Sequence, residues 1–171
     1  MLKLNKNSSR QVAGTLAALF AFAGLAGTAA ADAVPPTTTY PAQMCQSNSS
    51  SLQSNLHQVF NNSSTGAITA QCPIPDQWSG RIGAAEVRVV DRHPTANITC
   101  TIYVLRNDVP HGNGWWQTRS STGSANVSQA LVFPAIGTKG QKSHYFNMQC
   151  SVPARSSGIA SALKSYWVFE N

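Results

Sequence analysis

Asp91, Arg92 and His93 are the tightest run of chemistry-bearing side chains in this 171-residue sequence. A carboxylate can orient an imidazole for proton transfer, as in hydrolytic triads. Side chains two apart share a face of an extended segment, so Asp91 and His93 meet only where a strand continues through both. No G-x-S-x-G turn supplies a nucleophile. Pro94 follows at once, and a polar strand end in solvent accounts for the same three residues. Glycoside hydrolysis needs two carboxyls about 5–10 Å apart across a cleft. Asp76, Glu86, Asp91, Asp108 and Glu170 are scattered and permit such a pair only as the acids of almost any protein would. Asp108, His111 and Asn113 share one turn-forming stretch but bring a single carboxylate, too few for a strong calcium site. No Cys pair has C-x₂-C spacing and no His lies at ligand spacing from a Cys, so neither metal nor cofactor is expected.

The aromatic residues are more informative. Trp115 and Trp116 follow a Gly-rich turn and, on a strand, face opposite ways. One should enter the core. The other is then free to face outward, joined by Trp78 or Tyr103. Exposed aromatic rings bury large areas and suit sugar or protein contacts. The expected ligand-binding set is therefore Trp115, Trp116, Trp78 and Tyr103, with no catalytic residue among them.

These residues must be positioned by an exported domain. Lys3, Lys6 and Arg10 precede an uncharged stretch from Val12 to Gly27, and Ala29-Ala30-Ala31 offers small residues for cleavage. Residues 1–31 are expected to be a signal peptide cut after Ala31, with Ala33 as the second choice. Gly14, Gly24 and Gly27 break the apolar run, which is shorter than the roughly 20 residues of a membrane span. Removing 31 residues leaves 140, one domain's worth of chain. Nine of the 12 basic residues remain against six acidic ones, a net charge of +3, so nucleic acid is not an expected partner. Charged residues are only 11% of the chain, and Ser, Thr, Asn and Gln take their place.

Residues 32–44, with Pro35, Pro36, Pro41 and three consecutive threonines, read as an extended, disordered lead-in. The spacing of Leu52, Leu56 and Phe60 fits one face of a short helix and fits a strand and loop equally. Strand patterns follow at 67–72, 84–91, 98–105, 115–119, 127–133, 144–152 and 165–170, separated by Gly, Pro, Asn and Ser turns, with Pro134 ending the fifth. No intervening helix is long enough for a parallel crossover. The expected fold is all-β, a jelly-roll-like antiparallel sandwich of seven or eight short strands occupying residues 45–171.

Four cysteines in an exported chain imply two disulfides, and spacing alone permits three pairings. Alternation suggests one of them. Cys100 shares a face with Ile98, Ile102 and Val104, and Cys150 with Phe146, Met148 and Val152, so both thiols point toward the core. That favours Cys100–Cys150 and leaves Cys45–Cys72.

A Cys in a Ser/Asn-rich segment, then Cys72-Pro73-Ile74-Pro75, a Val-rich strand ending at Asp91, two further strand cysteines and a terminal Tyr166–Glu170 strand form a pattern. It resembles a group of small exported bacterial proteins of unknown function with disulfide-bonded β-sandwiches. The resemblance implies that fold and a bacterial source, and no activity. The expected function is that of a secreted, non-enzymatic protein, extracellular or periplasmic. It would bind a polysaccharide or cell-surface component through exposed aromatics and have no membrane span once the signal is removed. A small secreted hydrolase, and a secreted inhibitor, toxin or envelope interaction protein, are the alternatives.

Overall fold

A computed structural model describes residues 37–75, 81–106, 115–123, 126–138 and 144–170. The expected signal peptide lies outside them, as do Trp78, Asp108, His111 and Asn113. Ten strands fall among the described residues: β1 Thr37–Pro41, β2 Leu52–Asn55, β3 Gln58–Asn61, β4 Ile68–Pro73, β5 Arg81–Val90, β6 Thr99–Arg106, β7 Trp115–Ser120, β8 Ser128–Thr138, β9 His144–Val152 and β10 Ala162–Glu170. One sheet has the order β2-β3-β10-β5-β8, with β1 also paired to β10, and the other has the order β4-β9-β6-β7. Every pairing is antiparallel. The antiparallel sandwich is as expected, with more strands than the seven or eight anticipated.

Alternation builds the core. Val87 and Val89 of β5, Phe133 of β8 and Val168 of β10 are buried from one sheet. Ala70 and Cys72 of β4, Ile102 of β6 and Met148 of β9 are buried from the other. Cys100 and Cys150 stand opposite each other in the β6–β9 register and are bonded, as Cys45 is to Cys72. Each bond closes a loop whose loss of freedom in the unfolded chain is worth about 3–4 kcal/mol.

Two local expectations are corrected and one open choice, at Leu52–Phe60, is resolved in favour of strands. Residues 37–44 are not a disordered lead-in. They form β1 and a 3₁₀ turn at Ala42–Met44, because Tyr40 is buried and stacks on Tyr166 at 5.1 Å while β1 pairs along β10. The Leu52–Phe60 segment is a hairpin of β2 and β3, and Leu56 at its tip is exposed. Pro134 does not end its strand. β8 is the last strand of its sheet, and an edge strand tolerates a residue without an N–H. Across the sandwich's side, Arg119 Nε of β7 donates to the Val132 carbonyl of β8 at 3.0 Å, and Gln117 Nε2 to that of Ala135 at 3.1 Å.

Asp91 is also corrected: it is fully buried, not a solvated strand end. Its Oδ2 accepts from Ser121 Oγ at 2.5 Å, and its Oδ1 from Ser161 Oγ at 3.1 Å and the His93 amide at 3.0 Å. The two serine hydroxyls accept in turn from the amides of Ile98 and Arg92. Asp91 thus joins the end of β5, the entry to β6, the exit of β7 and the entry to β10. Asn61 at the end of β3 clamps the same pole. It is buried, and its Nδ2 reaches the carbonyls of Gly66, Val152 and Pro153.

Two predictions follow from this packing. Asp91→Ala strands two hydroxyls and an amide in the interior, and should cost about 3 kcal/mol. Thermal unfolding followed by circular dichroism should then show Tm falling by about 10 °C. The tyrosine pair governs alkaline stability. Burial pushes the Tyr40 and Tyr166 phenols above their ordinary value of 10, with Glu170 adding to the rise at Tyr40 and Tyr40 to that at Tyr166. A phenol that holds its proton more tightly in the fold contributes stability that is intact below about pH 10 and is lost as pH rises past it. Tyr166→Phe also removes the hydroxyl's bond to the Pro73 carbonyl. It should lower stability at pH 7 by about 1 kcal/mol yet flatten the loss above pH 10, measured by urea unfolding at both pH values.

Candidate binding face

The four-stranded sheet turns one side to the core and the other to solvent, and register assigns the outer side chains to rows. One row runs Thr69, Ser151, Thr99 and Ser120 from β4 to β7. The next is Gln71, Gln149, Thr101 and Thr118. The third is Pro73, Asn147, Tyr103 and Trp116. Beyond it Leu105 stands opposite Tyr145. None of these residues is charged. Thr99 and Ser120 share a hydrogen bond of 2.9 Å, as do Thr101 and Thr118, so hydroxyls fix part of the polar surface.

The aromatic residues gather at the end of this face away from Asp91. Trp116 is 64% exposed and Tyr145 is 42% exposed. Tyr103, half-buried, is the direct cross-strand partner of Trp116. Of the four aromatics expected to bind ligand, Tyr103 and Trp116 come together. Trp115 pairs with Val104 through its backbone, and its side chain lies outside the described residues. Trp78 lies outside them entirely.

Sequence reasoning missed Tyr145 and the polar rows. The signal for both was present: over 69–71, 99–103 and 145–151 the alternate outward positions of β4, β6 and β9 are Thr, Gln, Ser, Asn or Tyr, without a charge. It also missed an open groove of about 680 Å³ between the 46–49 segment, bridged alongside β4, and the outer surface of that strand. Volumes of about 300–1,000 Å³ are usual for small-ligand sites.

The outer side of the six-stranded sheet differs in kind. Trp167, Glu86 and Val132 form a cross-strand row there, and Glu86 is paired with Arg88. The Asp91–His93 pair is not arranged for proton transfer. Asp91 contacts the His93 amide rather than its ring, and the ring's Nδ1 accepts from the amides of Thr95 and Ala96 at 3.2 and 2.8 Å. The imidazole serves the Pro94 turn. Among the described residues no group of three or more His, Cys, Asp or Glu is placed to hold a metal ion.

No known protein family matches the chain, and no curated protein matches it in sequence. Solved structures do. The CBM36-1 domain of a multidomain xylanase from the hindgut metagenome of Trinervitermes trinervoides aligns at a TM-score of 0.47 and 6% identity, over 80% of this chain and 98% of that domain. A family 6 carbohydrate-binding module aligns at a TM-score of 0.52 and 14% identity, over 78% of this chain and 94% of the module. What this chain shares with the family 6 module is its fold, the antiparallel β-sandwich.

Proposed function

We propose that this protein is an exported, non-enzymatic glycan-binding β-sandwich that presents the outer face of its four-stranded sheet to a polysaccharide or cell-surface glycan. The observation that carries the reading is the Tyr103–Trp116 cross-strand pair at the end of an uncharged field of hydroxyls and amides. A sugar ring has apolar C–H faces and a rim of hydroxyls. An exposed indole can cover such a face, and Asn, Gln and Thr supply both donors and acceptors to the rim. The family 6 carbohydrate-binding module supports the reading, since it uses the same architecture in a carbohydrate-binding role. Two disulfides support delivery to an oxidising compartment. The N-terminal signal peptide, with cleavage after Ala31, belongs to the same proposal.

The proposal rests on a stacking contact, so Trp116→Ala is the direct test. Trp116 is largely exposed and its removal leaves the core untouched. On an immobilised panel of plant, fungal and bacterial polysaccharides the wild type should bind at least one member. Trp116→Ala should weaken that binding at least about tenfold, with an unchanged circular dichroism spectrum. No binding across the panel, or equal binding by the variant, would refute the assignment of this face.

A further inference from the structure

The groove on β4 and the aromatic pair on β7 lie on one line. Asn147 lines the groove and is also the register partner of Tyr103. From Pro73 at the groove, the row crosses Asn147 and Tyr103 to Trp116 in three inter-strand steps of about 4.8 Å, roughly 14 Å in all. The groove wall is built rather than incidental. Cys45 bonds to Cys72, and immediately beside it Gln46 and Gln71 exchange two main-chain hydrogen bonds of 2.8 and 2.7 Å. These links hold the segment carrying Ser47 and Asn48 alongside β4, where it shares the groove with Thr69 and Gln71.

Beside Ala67, Ile68 and Pro73, the polar part of the lining has one chemistry. Gln46, Ser47, Asn48, Thr69, Gln71 and Asn147 are all neutral, and among the described residues no Lys, Arg, His, Asp or Glu lines the groove. Each amide offers two donors and a two-lone-pair acceptor, and each hydroxyl both donates and accepts. A sugar hydroxyl, itself donor and acceptor, can satisfy such groups in either sense. A carboxylate or sulfate can only accept. It would set its charge against amide carbonyls with no cation among the described lining residues to offset the lost hydration.

We infer that the groove is a second subsite for the same ligand, and that this ligand is a neutral oligosaccharide chain lying across the four strands. One end packs on Trp116 and Tyr103, and the other is hydrogen-bonded in the groove by Gln71 and Asn147. This inference rests on the glycan reading of the Trp116 face. It adds the groove, the direction of the chain across the strands, and the exclusion of acidic glycans.

Isothermal titration calorimetry separates the two claims. The probes are two- to six-sugar ladders of neutral gluco-, xylo- and manno-oligosaccharides, with oligogalacturonates as the carboxylated comparison. The wild type should bind the longer members of a neutral ladder about tenfold more tightly than the shortest binder, because the second contact becomes intramolecular. Gln71→Glu, on an exposed position and of equal size, replaces two donors by acceptors. It should leave the shortest binder unchanged and abolish the gain with length. The Cys45→Ser/Cys72→Ser pair, which frees the groove wall, should do the same. Trp116→Ala should weaken every length. A length dependence that survives Gln71→Glu overturns the second subsite while leaving the Trp116 face standing. Oligogalacturonate bound as tightly as the neutral chains overturns the exclusion. Neutral oligosaccharides indifferent to Trp116→Ala, or no binding at all, remove the underlying reading and the groove inference with it.

Discussion

A single buried carboxylate sets the frame of this sandwich. Asp91 has no cation against it among the hydrogen bonds that hold it. Its charge is spread over two serine hydroxyls and a main-chain amide. Burying a charge is tolerable only when its acceptor sites are filled. Filling them here requires Ser121, 30 residues away, and Ser161, 70 residues away, to arrive together. Because those serines border strands of different sheets, the satisfied state of Asp91 is also the state in which the two layers are in register. Asn61 does the same for β3 and β9. One pole of the domain is therefore locked by buried, hydrogen-bonded polar groups, while the disulfides fasten the sheet interior and the groove wall.

That arrangement separates the polar lock from the aromatic end of the sheet, where the proposed binding face lies. The locked pole carries the buried acid, and the opposite end of the same outer face carries Trp116, Tyr103 and Tyr145. The aromatic rings stand on β6, β7 and β9 rather than on loops, and their spacing is held by main-chain ladders and by the Cys100–Cys150 bond one turn of alternation behind them. A rigid platform of this kind loses little side-chain freedom when a ligand settles on it, which favours recognition of stiff, repetitive chains.

Much of this was legible in the sequence because it depends on a period of two. Alternation along residues 98–105 and 144–152 shows which way Cys100 and Cys150 point, and from that the pairing follows. It also shows that Trp115 and Trp116 part company. What alternation cannot carry is register. Nothing local says that Tyr103 faces Trp116 or that Asn147 lies between Tyr103 and the groove. Those relations are fixed by hydrogen-bond ladders between distant segments. Asp91 looked like a solvated strand end because the serines that bury it lie far away in the chain. Residues 37–44 looked unstructured because composition weighs Pro and Thr and overlooks one tyrosine. Tyr40 stacks on Tyr166 and orders the segment around it.

The side of the sandwich where β7 meets β8 has a further meaning. A terminal strand ordinarily presents a row of free carbonyls and amides on which a second polypeptide can continue the sheet. Arg119 and Gln117 already occupy carbonyls along that border, and Pro134 interrupts its amides. The border is thus closed to strand-by-strand growth. A protein poor in surface charge cannot rely on electrostatic repulsion to keep its copies apart, and here two side chains and a proline blunt a border on which fibrous self-association could otherwise begin.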